Sequence, residues 1–217
     1  MSDFLYPFLE GVGPDVPALL ADLATSAEHK AAVSDRLRSE TLEREAELLA
    51  TIADAMAARF RAGGRLFTFG NGGSSTDAAS VAVLFASPPS GDALPARCLA
   101  DDTAVLSALG NDVGFELVFS RQLIAHARAG DIALGLSTSG GSRNLLTAFQ
   151  EARQRDILTI GLAGYDGGEM ARSGDVDHCL VVRSDSVHRI QETQGALAVA
   201  LWSAVHERLA AAEATRA

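Results

Sequence analysis

Ser137, Thr138, Ser139 and Ser142 put four hydroxyl groups within six residues, and Gly140 and Gly141 between them let the backbone come close to a ligand. The apolar run from Ile132 to Leu136 precedes this segment, and a helical pattern from Asn144 to Arg153 follows it. A helix that starts there adds free backbone N–H groups and the positive end of its dipole, which together favour a phosphate dianion. One Ser or Thr at such a turn serves as an N-cap. Four hydroxyls exceed what a cap uses, so the segment reads as a phosphate cradle.

A second turn of the same kind, Asn71-Gly72-Gly73-Ser74, follows the apolar run Arg65 to Phe69 and precedes an Ala-rich helical stretch from Asp77 to Ala86. Asn71 and Ser74 would offer polar side chains to sugar hydroxyls. The competing reading is a tight turn with Ser74 as cap. Asp102 stands before a short helical stretch that begins near Thr103, and Asn111-Asp112 closes it, so these residues suit capping as well as ligand contact. His188, Gln191 and Glu192 share one helix face through i, i+3 and i+4 spacing. The other histidines, His29, His126, His178 and His206, have no metal-ligand spacing with any Cys or acid.

The elements that must position these residues alternate. Helical patterns near Ala18 to Ala32 and from Asp35 to Arg61 follow an irregular opening with Pro7, Gly11, Gly13, Pro14 and Pro17. Strand patterns follow at 65–70, 96–100, 132–136, 157–162 and 176–182, and a last helix runs from about His188 to Ala211. Strands alternating with helices predict a parallel sheet covered on both faces, with ligands beyond the carboxyl ends of the strands.

The chain has 217 residues, enough for one α/β domain with a helical N-terminal arm. Its formal net charge of −10 opposes direct nucleic-acid binding, which needs clustered Lys and Arg to neutralise phosphates. The absence of a long uncharged apolar run argues against membrane insertion, and the acidic, non-basic start argues against a signal peptide. Cys98 and Cys179 lie in strand-like runs and read as buried thiols of a cytoplasmic protein.

The motifs GNGGSSTDAA at 70–79, LGND at 109–112, FSRQ at 119–122, GDIALGLSTSGGSRN at 130–144, GYDGGEMA at 164–171 and HRIQE at 188–192 together resemble the sugar-isomerase (SIS) fold. They are most similar to the sedoheptulose-7-phosphate (phosphoheptose) isomerases and their relative, the bacterial replication-initiator-associating protein. The resemblance implies a flavodoxin-like three-layer α/β/α sandwich with a five-stranded parallel sheet, residues 1–35 forming an arm and 36–217 the SIS domain. It also implies a homotetramer with sites at subunit interfaces. By the same resemblance, Ser137, Thr138, Ser139 and Ser142 take the phosphate positions, and Asn71 to Ser74, with Gly72 and Gly73, form the substrate loop. Asp102, Asn111 and Asp112 become sugar-facing groups, and Gln191 the glutamine that opens the last helix in the site.

The chain departs from the family at its catalytic set. Relatives carry a His and, four residues later, a Glu on the helix after the GNGGS loop, and a His on the last helix, for proton transfer and often with zinc. The matching positions here are Ser80, Leu84 and Val199. None of them serves as a general base or a usual zinc ligand, so no zinc and no other cofactor is expected. Three functions follow as expectations. The first is a phosphosugar-binding SIS protein without the usual isomerase chemistry, its ligand a sugar such as sedoheptulose 7-phosphate. The second is an isomerase using His188 and Glu192 as a rearranged catalytic pair, and the third is a protein-interaction scaffold.

Overall fold

The computed structural model describes residues 16–214. The opening marked by Pro7, Gly11, Gly13 and Pro14 lies outside the described residues. Strands β1 (Leu66–Gly70), β2 (Ala96–Cys98), β3 (Ile132–Ser137), β4 (Leu158–Gly164) and β5 (His178–Val182) form one sheet in the order β2-β1-β3-β4-β5. Every pairing is parallel, with Leu66 opposite Ile132 and Ile132 opposite Leu158. In this doubly wound order the connections leave β1 and β3 toward opposite faces, so a crevice opens between the carboxyl ends of those two strands. The Asn71 loop follows β1 and the Ser137 loop ends β3, which sets both hydroxyl-bearing turns at that crevice.

Among the described residues, eight α-helices cover the sheet: α1 (Val16–Arg44), α2 (Ala46–Arg61), α3 (Gly73–Ala86), α4 (Thr103–Asp112), α5 (Val118–His126), α6 (Arg143–Gln154), α7 (Gly168–Arg172) and α8 (Val187–Ala214). Alternation along the strands sends side chains to two separate cores. Leu134 and Leu136 pack with Ile52 and Met56 of α2, Phe85 of α3 and Leu201 of α8. Ala133 faces the other way, toward Leu123 of α5 and Phe149 of α6. There the rings of Phe119 and Phe149 sit 5.4 and 5.2 Å from that of Phe69. The rings of Phe149 and Phe69 fill the space over Gly135, where an added Cβ would stand 2.7 Å from Phe149 Cζ and 2.9 Å from Phe69 Cε2. Each fully buried large side chain of these cores contributes about 1.5–3 kcal/mol.

Several elements differ from the sequence expectation. α1 begins at Val16, with Pro17 in its first turn where proline is tolerated, and runs unbroken through residues 33–35. No glycine or proline interrupts it there. The Ser34 hydroxyl donates to Glu192 instead of capping a new helix, and Asp35 pairs with Arg38. The interruption falls at Glu45 (φ −91°, ψ 2°), where Arg44 donates to the Glu45 carboxylate and to the Val181 carbonyl of β5. α3 begins at Gly73, four residues before Asp77, so Ser74 belongs to the helix. β2 stops at Cys98 because the chain turns toward Asp102, whose carboxylate caps α4. The hydropathy pattern does not announce α5.

Both cysteines are free thiols. Burial pushes the Cys179 thiol up to about 12, with the Glu45 carboxylate adding to the effect, and burial likewise raises Cys98. Neither forms the thiolate that nucleophilic chemistry requires. Among the described residues, no helix is long and apolar enough to cross a membrane.

Candidate phosphosugar site

The cradle closes on itself through its serines. Ser137 Oγ lies 3.4 Å from Ser139 Oγ and 3.1 Å from Ser142 Oγ. Ser137 Oγ also accepts from the Gly140 N–H at 3.1 Å, and Ser139 Oγ from the Gly141 N–H at 3.3 Å. Ser142 occupies the N-cap position of α6 but makes no side-chain cap bond. The first turn of α6 thus keeps donors for an incoming anion. Arg143, exposed at the first position of α6, adds a cation beside the cradle.

The loop after β4 braces the cradle from behind. Gly164 N–H donates to the Thr138 carbonyl (3.0 Å) and Met170 N–H to the Gly140 carbonyl (2.7 Å). Gly140 has φ +63°, and a Cβ on it would stand 2.1 Å from the Gly167 carbonyl oxygen, so only glycine fits. Gly141 faces the other way: a Cβ there would meet nothing nearer than Ser139 Oγ at 3.9 Å. The cradle is closed behind and open in front.

Asn71 reaches the cradle by a route that the sequence does not reveal. Its side-chain amide exchanges two hydrogen bonds with that of Asn144 in the first turn of α6, at 2.8 and 2.9 Å. The pair locks the β1 loop to the β3 loop. Each amide retains one N–H and one acceptor lone pair for a ligand. Ser74 is buried, while Gly72 (φ +55°) is open to solvent. Gln191 Nε2 rests where a Cβ on Gly73 would stand, 2.6 Å away, and donates to Asp77 Oδ2 at 2.7 Å. Neither Asn144 nor Asp77 stood among the expected site residues. Both bond across more than 70 positions of chain, beyond the reach of local spacing.

The remaining candidates are dispersed. Asp102 caps α4 by accepting from Val105 N–H at 3.0 Å, and Asn111 donates to Asp112 at the far end of that helix. All three are exposed. His188 is exposed in the first turn of α8. Glu192 is exposed too and accepts from Ser34 of α1 at 2.8 Å, so it faces α1 while its neighbour Gln191 faces α3.

Between α3 and α8 lies a groove of about 300 Å³ lined by Asp77, Ser80, Val81, Leu84, Leu136, Gly195, Ala198 and Val199. Ser80, Leu84 and Val199, up to 119 positions apart in sequence, converge there. The Ser80 hydroxyl donates to the Thr76 carbonyl at 2.9 Å, which leaves an almost wholly apolar lining.

Comparison with known proteins places this geometry in a family. One SIS domain profile matches residues 30–164 and another matches residues 115–215. The phosphoheptose isomerase of Pelobacter propionicus is 40% identical over 176 residues, covering 80% of this chain and 90% of the relative. That of Sulfurimonas denitrificans is 44% identical over 144 residues, covering 65% of this chain and 73% of the relative. The structure of phosphoheptose isomerase GmhA from Neisseria gonorrhoeae superposes with a TM-score of 0.78 at 34% identity, over 84% of this chain and 98% of that one. The chain belongs to the phosphoheptose isomerase family of SIS-domain proteins.

For a phosphoheptose isomerase relative, the α3–α8 groove is where the resemblance puts the His, Glu and His of the catalytic set. The side chains present do not fit zinc. One is a hydroxyl bound to backbone and two are alkyl groups, whereas zinc takes imidazole, thiolate or carboxylate. Among the described residues, no group of three or more His, Cys, Asp or Glu gathers to hold a metal. Asp77 and Gln191 are the polar groups left at that end of the site.

Proposed function

We propose that the chain binds a phosphorylated sugar such as sedoheptulose 7-phosphate without performing the zinc-dependent isomerisation associated with its family. The observation that carries this reading is the mutual contact of Ser137, Ser139 and Ser142 in front of the uncapped N-terminus of α6. Phosphate oxygens exchange readily with such hydroxyls and add the N–H donors of the helix. The sugar then extends along the crevice toward the Asn71–Asn144 pair and Gln191, where amide groups suit hydroxyls. Asp102, Asn111 and Asp112 join the sugar contacts where the ligand reaches α4.

Aldose–ketose interconversion through an enediol needs a base beside the carbonyl and an acid to return the proton. With alkyl groups at Leu84 and Val199, both roles go unfilled, and each positioned group is worth about 10²–10⁴-fold in rate. The rearranged pair His188 and Glu192 is less favoured, because Glu192 turns toward α1. The protein acts instead as a cytoplasmic sensor or scaffold, assembled as a homotetramer. The apolar stripe Val16, Leu19, Leu20 and Leu23, at helical spacing and about half exposed on α1, supports self-association.

The test is ligand-induced thermal stabilisation. A phosphosugar at 100 times its Kd stabilises the fold by about 2.7 kcal/mol. The double substitution Ser137→Ala, Ser139→Ala is expected to abolish that shift, and an undiminished shift contradicts the cradle.

A further inference from the structure

The α3–α8 groove is walled chiefly by alkyl groups, which offer no hydrogen bond to a sugar hydroxyl. Val81, Leu84, Leu136, Ala198 and Val199 are alkyl, and Ser80 is already bonded to Thr76. A hydroxyl moved from water against those alkyl groups gives up hydrogen bonds, whereas an alkyl group gains by leaving water. One acceptor stands at the polar end. Asp77 takes a single hydrogen bond from Gln191, and a carboxylate has about four lone-pair sites, so it retains capacity for an N–H donor.

The groove is structurally continuous with the cradle. Leu136 in its wall directly precedes Ser137. From the other side, Asn144 of α6 bonds Asn71, the loop continues to Gly73, Gln191 rests against Gly73, and Gln191 bonds Asp77. A ligand anchored by phosphate at Ser137 and lying across the Asn71 loop therefore meets Asp77 first and the alkyl walls next. The geometry points to an N-acylated amino-sugar phosphate as the ligand class: the amide N–H donates to Asp77 and the acyl chain lies against Leu84 and Val199. This inference rests on the phosphosugar reading above and deepens it: polyhydroxylated sugar phosphates bind, and those with one apolar N-acyl substituent bind more tightly.

Calorimetric titration of the full chain tests it with inorganic phosphate, glucose 6-phosphate, and the N-acetyl and N-butanoyl derivatives of glucosamine 6-phosphate. The N-acetyl compound is expected to bind about tenfold tighter than glucose 6-phosphate, within the range that one small apolar group gives in a hydrophobic pocket. Affinity should rise a further three- to fourfold or so for each added methylene. Leu84→Asn should flatten this dependence on chain length. Val199→Ser, at a position 52% exposed and so tolerant of substitution, should do the same. Equal affinities for glucose 6-phosphate and both acylated sugars overturn the inference while leaving the cradle intact, and this is also the outcome if a second copy of the chain covers the groove. Failure of all four probes to bind, phosphate included, overturns the phosphosugar reading and the inference together.

Discussion

A single methyl group distinguishes the two glycines of the cradle. On Gly140 it enters the Gly167 carbonyl at a left-handed backbone, and on Gly141 it enters open space in front of the serines. Gly140→Ala is therefore expected to destabilise the fold by at least about 2 kcal/mol, combining the left-handed backbone penalty with steric overlap. Gly141→Ala should unfold close to the parent temperature yet bind phosphosugars more weakly, because its methyl occupies ligand space. Thermal unfolding with and without ligand separates the two effects, and equal unfolding temperatures for both variants contradict the packing described. At this scale the sequence was informative where chemistry is local. Four hydroxyls and two glycines within six residues identify the cradle with no partner in view. The Asn71–Asn144 pair joins side chains 73 positions apart, and no spacing rule links them. Asp102 shows the converse: its residue type suits a ligand contact and a cap alike, and its Oδ1 caps α4 without excluding the contact.

Elements hold these residues in register through bonds at the strand ends. Asp177, just before β5, accepts from the N–H and the hydroxyl of Thr159 in β4 and pairs with Arg153 of α6. Burial by itself would raise its carboxyl, but the Thr159 N–H, the Thr159 hydroxyl and the Arg153 charge together hold it below the usual carboxylate value. A carboxyl lowered in the folded state contributes stability above its unfolded value, near 3.9, and that stability is lost as pH falls through the folded value. Asp177→Asn should accordingly lower stability at neutral pH and weaken the acid-side decline below about pH 4. Denaturant titrations from pH 2 to 7 measure this, and parallel acid limbs for parent and variant contradict it. The parallel sheet was readable from alternating strand and helix patterns, whereas the bend between α1 and α2 was not. Glu45 is a good helix former, and its position follows from how Arg44 reaches the Val181 carbonyl in β5.

At the scale of the whole molecule, residues 16–32 of α1 lie exposed. Val16, Leu19, Leu20 and Leu23 are all about half exposed, an apolar stripe of the kind that assembly covers. Light scattering should report a tetramer for the parent chain and a smaller species for Leu19→Glu, Leu23→Glu; a parent monomer contradicts the assembly. The same long helix contributes Ser34 to Glu192 on α8. The resemblance across six motifs foretold the family and the fold. Ser80, Leu84 and Val199, which the sequence reading set at the family's catalytic positions, line one groove.

The most direct test follows sedoheptulose 7-phosphate by NMR with the purified protein, with and without added zinc. Saturation transfer from protein to sugar, with no new anomeric signals under either condition, is the predicted result. Zinc-dependent appearance of an aldose product in proportion to protein concentration would contradict the central claim.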